Sequence, residues 1–289
     1  MTTEEKLVKI AENREKLYKA GMDVYGEPFA QMTDWTWFAS YDARAVIVPL
    51  LGMLDTSSGI DFSCMFQENT LITEVPLFNT CNGEYFESMF EGCSALRKIP
   101  SFNVEKGTTF SHMFDGCSSL EAIPLLDTSG GKSVSYMFAN CDSLTTIPQL
   151  NFSNATNAER LFTNCTCLVS LPHIDCRSAT SVGGIFSSCI NLQSIKSFNM
   201  SSVVKASNLM FYNCVALKDI EIVGEIKLNI NFGDSPLSKA SIESVVSALS
   251  QTVTGKTVTF KATAKQAAFS DEEWEALIAT RSNWTVTLA

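Results

Sequence analysis

Ten cysteines and two histidines offer the most chemistry in this 289-residue chain, and their spacing decides what chemistry that is. Cys93, Cys117, Cys141, Cys165 and Cys189 recur every 24 residues, and Cys214 follows after 25. Zinc sites use paired Cys-x-x-Cys or mixed Cys/His clusters, and the one close pair, Cys165 and Cys167, has no matching partners nearby. Neighbouring chains in a stack lie about 4.8 Å apart, within reach of a disulfide, but one identical orientation per repeat is what packing demands. Free Cys behaves as a small apolar residue, so the column reads as buried, reduced thiols. A second column, Asp55, Asn79, Asn103, Asp127, Asn151, Asp175 and Asn199, offers oxygen ligands for calcium. It lacks the glycine-rich setting of calcium-binding nonapeptides and carries too little charge. Side-chain bonds to the backbone at a chain corner explain it better. His112 and His173 sit in variable columns, with no serine elbow, phosphate loop or histidine-containing metal motif. The expectation is a protein without catalytic residues, metal or cofactor, and not an enzyme.

The elements that position these residues follow from a repeat. Phe66, Phe90, Phe114, Phe138, Phe162 and Phe186 are each 24 residues apart, and Phe211 follows after 25. An apolar residue precedes each: Met65, Met89, Met113, Met137, Leu161, Ile185 and Met210. Six residues beyond the Phe come Ile72, Leu96, Leu120, Leu144, Leu168, Leu192 and Leu217, then a column of Val75, Ile99, Ile123, Ile147, Leu171, Ile195 and Ile220. Proline follows at Pro76, Pro100, Pro124, Pro148 and Pro172, and Phe78, Phe102, Leu126, Leu150, Ile174 and Phe198 add another apolar column. A unit this short cannot bury its own apolar face, but stacked units turn the columns into continuous ladders. Proline cannot donate to a strand ladder, so pairing is expected to be short, roughly three or four residues around the Leu-x-x-Ile segment, with proline turning the chain out of it.

The unit M-F-x-x-C-x-x-L-x-x-I-P resembles the BspA-type, or treponemal-type, leucine-rich repeat over about residues 48 to 224. That resemblance implies an α/β leucine-rich-repeat solenoid, right-handed, with one short parallel strand per coil, and it implies a surface or adhesion role. A solenoid needs different sequence at its ends. Residues 1–33 read as an N-terminal helical segment, with Thr2 and Glu5 at capping-box spacing and Leu7, Ile10, Ala11, Leu17 and Tyr18 on one face ending near Gly21. Residues 34–60 read as a cap and degenerate coil, and 61–224 as seven repeats. Residues 225–289 read as a capping region with strands at Lys227 to Ile230, Thr257 to Phe260 and Asn283 to Leu288. Between these lie helices through Ile242, Val245, Val246 and Leu249 and through Trp274, Leu277 and Ile278, the latter after a Ser270–Glu273 capping box. The charged N-terminal helix and the final D-E-E-W…N-W-T segment are also similar to the ends of repeat proteins from prophage tail regions.

A net charge of −10 repels phosphate backbones and anionic lipid, which argues against nucleic acid as a partner. The N-terminus has charges where a signal peptide needs an apolar run, and no apolar stretch is long enough to span a bilayer. The chain is expected to be cytoplasmic as synthesised, with no membrane insertion, and virion-associated or extracellular after lysis. The reading is a non-enzymatic binding module for a protein or glycan ligand, in a phage or prophage receptor-binding or tail-associated setting. Its alternatives are an assembly component docked into a larger particle through the N-terminal helix, or a bacterial cell-surface adhesin. If the Leu, Ile and Phe columns point inward, the residues between them point out. That strand face is Glu74, Leu77, Lys98, Ser101, Ala122, Leu125, Thr146, Gln149, Ser170, His173, Ser194 and Ser197.

Register, rather than local sequence, should control folding. Deleting residues 115 to 138 joins Phe114 to Ala139 and restores every ladder, whereas deleting half a unit sets Phe against polar columns. The whole-unit deletion is expected to melt cooperatively near the parent temperature and the half-unit deletion to unfold. Equal melting of the two would refute the repeat account.

Overall fold

In the computed structural model, whose described residues are 32–41, 48, 51, 52, 54–206 and 209–289, successive 24-residue units lie in parallel register. One backbone spine runs through them. Parallel bridges join Asp34 to Asp61, then Tyr85, Thr109, Ser133, Asn157, Ser181 and Lys205 in turn. Beyond each bridge the chain makes a series of tight turns through the Met-Phe pair. There the N–H groups of Phe62, Cys64, Phe66 and Glu68 donate to the carbonyls of Tyr85, Glu87, Met89 and Glu91 at 2.7 to 2.9 Å. Phe110, His112, Phe114 and Gly116 do the same to Ser133, Ser135, Met137 and Ala139. The donors of these turns thus point toward the C-terminal end of the stack, whereas N–H groups just before them, such as Thr108 to Glu84 and Thr156 to Lys132, point the other way. Facing alternate N–H groups one way requires a left-handed residue at the second and fourth of these positions. These are Cys64 and Glu68, His112 and Gly116, Tyr136 and Asn140, and Arg160 and Asn164, with φ between +53° and +76°. Gly and Asn adopt this conformation readily, whereas His112, Tyr136 and Arg160 pay about 1–2 kcal/mol each, offset by the hydrogen bonds they enable.

The same turn occurs in the segment read from sequence as a cap and degenerate coil. Trp37 and Tyr41 are left-handed at φ +58° and +60°, and Trp35, Ala39 and Tyr41 donate to Asp61, Met65 and Gln67. Ala39 stands where the later coils have Phe, which hides the match. The helix expected over residues 1–33 lies outside the described residues.

The signature Phe residues form one stack. Phe66, Phe90, Phe114, Phe138, Phe162 and Phe186 follow each other at 5.0 to 6.0 Å with nearly parallel planes. The stack continues through Phe211, Phe232 and Phe260, where Trp274 closes it edge-on at 5.8 Å. All ten cysteines are free thiols. The column does more than fill space: the thiols of Cys93, Cys117, Cys141, Cys165, Cys189 and Cys214 donate to the carbonyls of Phe66, Phe90, Phe114, Phe138, Phe162 and Phe186. In the first repeat Asn69 takes over, its Nδ2 donating to the Ala39 carbonyl at 2.8 Å. A sulfhydryl is a weak donor with the solubility of a small hydrophobe, which suits a carbonyl in a dry interior.

A second ring column, Phe62, Phe86 and Phe110, is possible because glycine lies beneath it. A Cβ on Gly59, Gly83 or Gly107 would come within 2.3 to 2.4 Å of the Phe three residues on. Later coils pair small with small: Ala155 with Ala158 and Ala179 with Val182. Gly131 precedes Val134 in its own coil, yet a Cβ there would meet Phe110 of the coil before at 2.9 Å.

The strand reading needs correction. Among the described residues of the repeats, regular strands occur only in the last three, β1 (Ser170–Asp175), β2 (Ser194–Asn199) and β3 (Asp219–Val223), paired in parallel in that order. In the earlier coils this side carries one isolated bridge among the described residues, Glu74 to Lys98. The proline column explains both facts. Lys196 and Glu221 replace proline inside β2 and β3 and can donate, whereas Pro172 sits in β1 at the sheet edge, and the strand runs through it instead of turning out. A second parallel sheet follows, β4 (Ile230–Phe232), β5 (Lys256–Phe260) and β6 (Trp284–Leu288). Helix α1 (Lys239–Ala248) lies between β4 and β5, and α2 (Ala262–Ala268) and α3 (Asp271–Ala279) precede β6. β4 begins at Ile230, three residues beyond the expected Lys227 start, and the Ala-rich α2 was not read from sequence. The Ser270–Glu273 capping box is formed in both directions.

Two outcomes follow from this packing. Gly131→Ala should cost about 1–3 kcal/mol in chemical denaturation. Phe110→Val should absorb part of that cost, so the double variant is more stable than the two single costs predict; strict additivity would mean that ring and glycine are not in contact. Burial pushes the Cys117, Cys141, Cys165 and Cys189 thiols well above their ordinary range, and Cys214 up to about 12. Burial and then Glu91 push Cys64 up to about 11. With iodoacetamide at pH 8, mass spectrometry should find exposed Cys167 labelled first, Cys64 lagging, and the column labelled only on unfolding. Column labelling as fast as Cys167 would contradict that burial.

Candidate functional site

The twelve strand-face positions do not form a uniform surface. Glu74, Leu77, Lys98, Ser101, Ala122, Leu125, Thr146 and Gln149 are exposed; Ser170, His173 and Ser194 are half-buried. Ser197 is buried, contrary to the outward direction expected of it, because His173 of the preceding coil lies over it with Nδ1 on the Ser197 hydroxyl. Neighbouring coils also meet at Glu74 and Lys98, an exposed ion pair at 2.8 Å, and where Gln149 Nε2 donates to the His173 carbonyl at 2.6 Å. The structure therefore brings these residues together as contacts between adjacent coils along one face. Between them run Pro76, Pro100, Pro124, Pro148 and Pro172, all half-buried, with Leu77 and Leu125 following Pro76 and Pro124 at 62% and 65% exposure. The N-terminal part of the face is a proline-leucine ridge with one ion pair; the C-terminal part is a hydrogen-bonded sheet. Asp175 commits its carboxylate to Arg177 and so does not orient the His173 imidazole. Burial raises the Asp175 pKa, but the hydrogen bonds and charge of Arg177 outweigh it and hold the carboxyl below its ordinary value.

The acid and amide column has a local role in every repeat. Asp55, Asn79, Asn103, Asp127, Asn151, Asp175 and Asn199 each accept through Oδ1 from the N–H two residues on. Each nucleates a corner, and at Asp55 and Asp127 the hydroxyl and then the N–H of Ser57 and Ser129 hold the carboxyl below its usual range.

The left-handed turns build a second face that reading the columns one at a time did not find. At the first left-handed position His112 stacks on Tyr136 at 4.5 Å and 11°, and Arg160 lies over Tyr136 at 5.5 Å. His112 and Tyr136 are half-buried and Arg160 is exposed; Trp37 and Tyr41, both exposed, stack at 6.1 Å further toward the N-terminus. The signal was in the sequence, since His112, Tyr136 and Arg160 are 24 residues apart, but only the turn geometry shows that this column faces outward.

At the C-terminal end, the D-E-E-W…N-W-T segment is used for internal packing. Asp271 to Glu273 form the first turn of α3, Trp274 covers Phe260, and the Trp284 indole donates to the Ser250 carbonyl at 2.8 Å. Among the described residues no helix is long and apolar enough to cross a membrane.

Among solved structures, the chain is similar to an internalin from Listeria monocytogenes at 12% identity, over 78% of this chain and 75% of that one, with a TM-score of 0.27. It is also similar to a leucine rich cell surface protein from Faecalibacterium prausnitzii at 17% identity, over 74% and 78%, with a TM-score of 0.22. No curated protein matches it. The family model described as "Mycoplasma protein of unknown function, DUF285" matches residues 42–124, 60–171 and 132–223 in overlapping segments, which together run from 42 to 223. With well over half of its length matched, the chain belongs to the DUF285 family.

Proposed function

We propose that the chain is a non-enzymatic binding protein, a right-handed repeat solenoid that presents its proline-leucine ridge to a protein or glycan. The observation that carries this reading is the exposure of Leu77 and Leu125, each next in the chain to one of a column of half-buried prolines. Large apolar side chains held out on rigid backbone lose little entropy on contact, and proline has no further conformational freedom to lose. The Glu74–Lys98 pair beside them is exposed on both sides and contributes little stability, so it is free to set polarity for a ligand. A cell-surface, virion or assembly setting would use the same ridge. Docking through the N-terminal segment involves residues outside those described, and the C-terminal segment is already engaged as a cap.

Glycan and bacterial-surface protein arrays are the screen, followed by affinity measurement on a hit with the combined Lys98→Glu, Gln149→Lys and His173→Glu variant. A loss of affinity of about tenfold or more, roughly 1.4 kcal/mol, is expected while the variant still melts cooperatively, at a temperature lowered by the lost His173 and Gln149 contacts. A folded triple variant at full affinity would move recognition off this face.

A further inference from the structure

We infer that the turn face carries a binding site for a first-row divalent metal ion of the zinc class, built from Glu91, His112 and Asp115. One ring nitrogen of His112 and one carboxylate oxygen each from Glu91 and Asp115 all lie within 4.8 Å of one another. Metal–ligand bonds of about 2.0–2.2 Å put the ligand atoms of a tetrahedral site about 3.3–3.5 Å apart, so modest side-chain rotation closes the set. The set mixes one imidazole with two carboxylates, which favours zinc, cobalt or manganese over calcium or magnesium. Three protein ligands leave at least one coordination position for water.

The surroundings fit this assignment independently of the three ligands. Each carboxylate has one oxygen engaged by an amide of an adjacent coil: Gln67 Nε2 donates to Glu91 Oε2 at 2.7 Å, and Asn140 Nδ2 donates to Asp115 Oδ1 at 2.7 Å. Asn164 in turn holds Asn140 at 2.9 Å. These bonds orient the carboxylates, and Asp115 Oδ2, the oxygen not taken by Asn140, lies 3.0 Å from His112 Nδ1. The His112 ring is held flat against Tyr136. Outer partners that orient ligands in this way are the usual companions of a metal site. Among the described residues no Lys or Arg is ion-paired with Glu91 or Asp115, so their charge is free to attract a cation. The only imidazole in this column stands beside two successive acids of the neighbouring column, Glu91 and Asp115, a conjunction no other repeat has.

The two histidines make the test direct. Zinc is titrated into the full reduced chain and the imidazole C–H resonances are followed by proton NMR, His112→Asn assigning its own signals. Asparagine tolerates the left-handed backbone at residue 112. Expected is a saturable shift or broadening of His112 alone at one equivalent, His173 unmoved, with Glu91→Gln and Asp115→Asn each weakening binding by about tenfold or more. A rise in melting temperature with zinc should vanish in the same variants, and does not depend on any ligand of the proline-leucine ridge. If His112 does not respond to millimolar zinc, if His112 and His173 respond together without saturating, or if the two carboxylate variants bind as the parent does, the site is refuted. Should His112→Asn not fold, the carboxylate variants alone decide the matter.

Discussion

In the turns through the Met-Phe pair, four backbone N–H groups of coil after coil, as of Phe62, Cys64, Phe66 and Glu68, donate to carbonyls of the next, and within these turns the bonds point the same way along the stack. Most other features answer to that constraint. Turning alternate donors to one side demands the left-handed residues, which is why Gly92, Gly116, Asn140 and Asn164 recur at one position and why costly side chains are tolerated at the other. The Phe carbonyl accepts an N–H within its own coil, as Phe66 does from Asn69, and its second lone pair takes the thiol of the next, as from Cys93. Polarity also makes the two ends of the stack unlike. At the C-terminal side, where the coil interval changes, the N–H of Asn213 donates to the Asp234 carboxylate at 2.8 Å instead of to a carbonyl. A negative group there also opposes the summed dipoles of the aligned peptides, as a carboxylate does at a helix N-terminus.

The repeat period, the inward columns and the corner residues were legible in sequence, because identity at a fixed interval reports stacking directly. The role of the cysteines was only half legible: spacing shows burial, but a donor and an inert filler look alike until the Phe carbonyl is placed beside the sulfur. The strands were misjudged because proline was read as a property of one coil. A missing N–H acts on a pair, so the sheet begins only where Lys196 and Glu221 restore donors to two successive strands. The degenerate N-terminal coil was read, but Ala39 in the Phe position hid that it makes the same turn, and a change of interval after Gly224 hid the continuation of the Phe stack into Phe232 and Phe260. On the surface, the sequence identified positions free to vary but not which of them meet. Ser197 lies under His173, and Glu91, His112 and Asp115 meet only because a turn brings two coils side by side.

Both outward faces arise from one architecture with different rigidity. The proline ridge has few backbone bonds between coils and owes its shape to fixed φ angles. The turn face is held by the one-way bonds and owes its shape to left-handed residues. A side chain at residue 112 is therefore displayed from a position whose direction is dictated by the whole stack, and exchanging it alters chemistry without altering geometry.

The glycine beneath the second ring column gives the array a grammar of duplication. A unit carrying Phe110 tolerates only glycine at the start of the unit that follows, as Gly131 shows even though Val134 has already replaced the ring above it. A unit beginning with glycine can follow any other, while one beginning with Ala155 or Ala179 can follow only a unit without the ring. Unequal crossing-over that lengthens or shortens the gene would therefore be accepted in one order and rejected in the other. Three successive ringed coils before the small-residue coils is an order this rule allows.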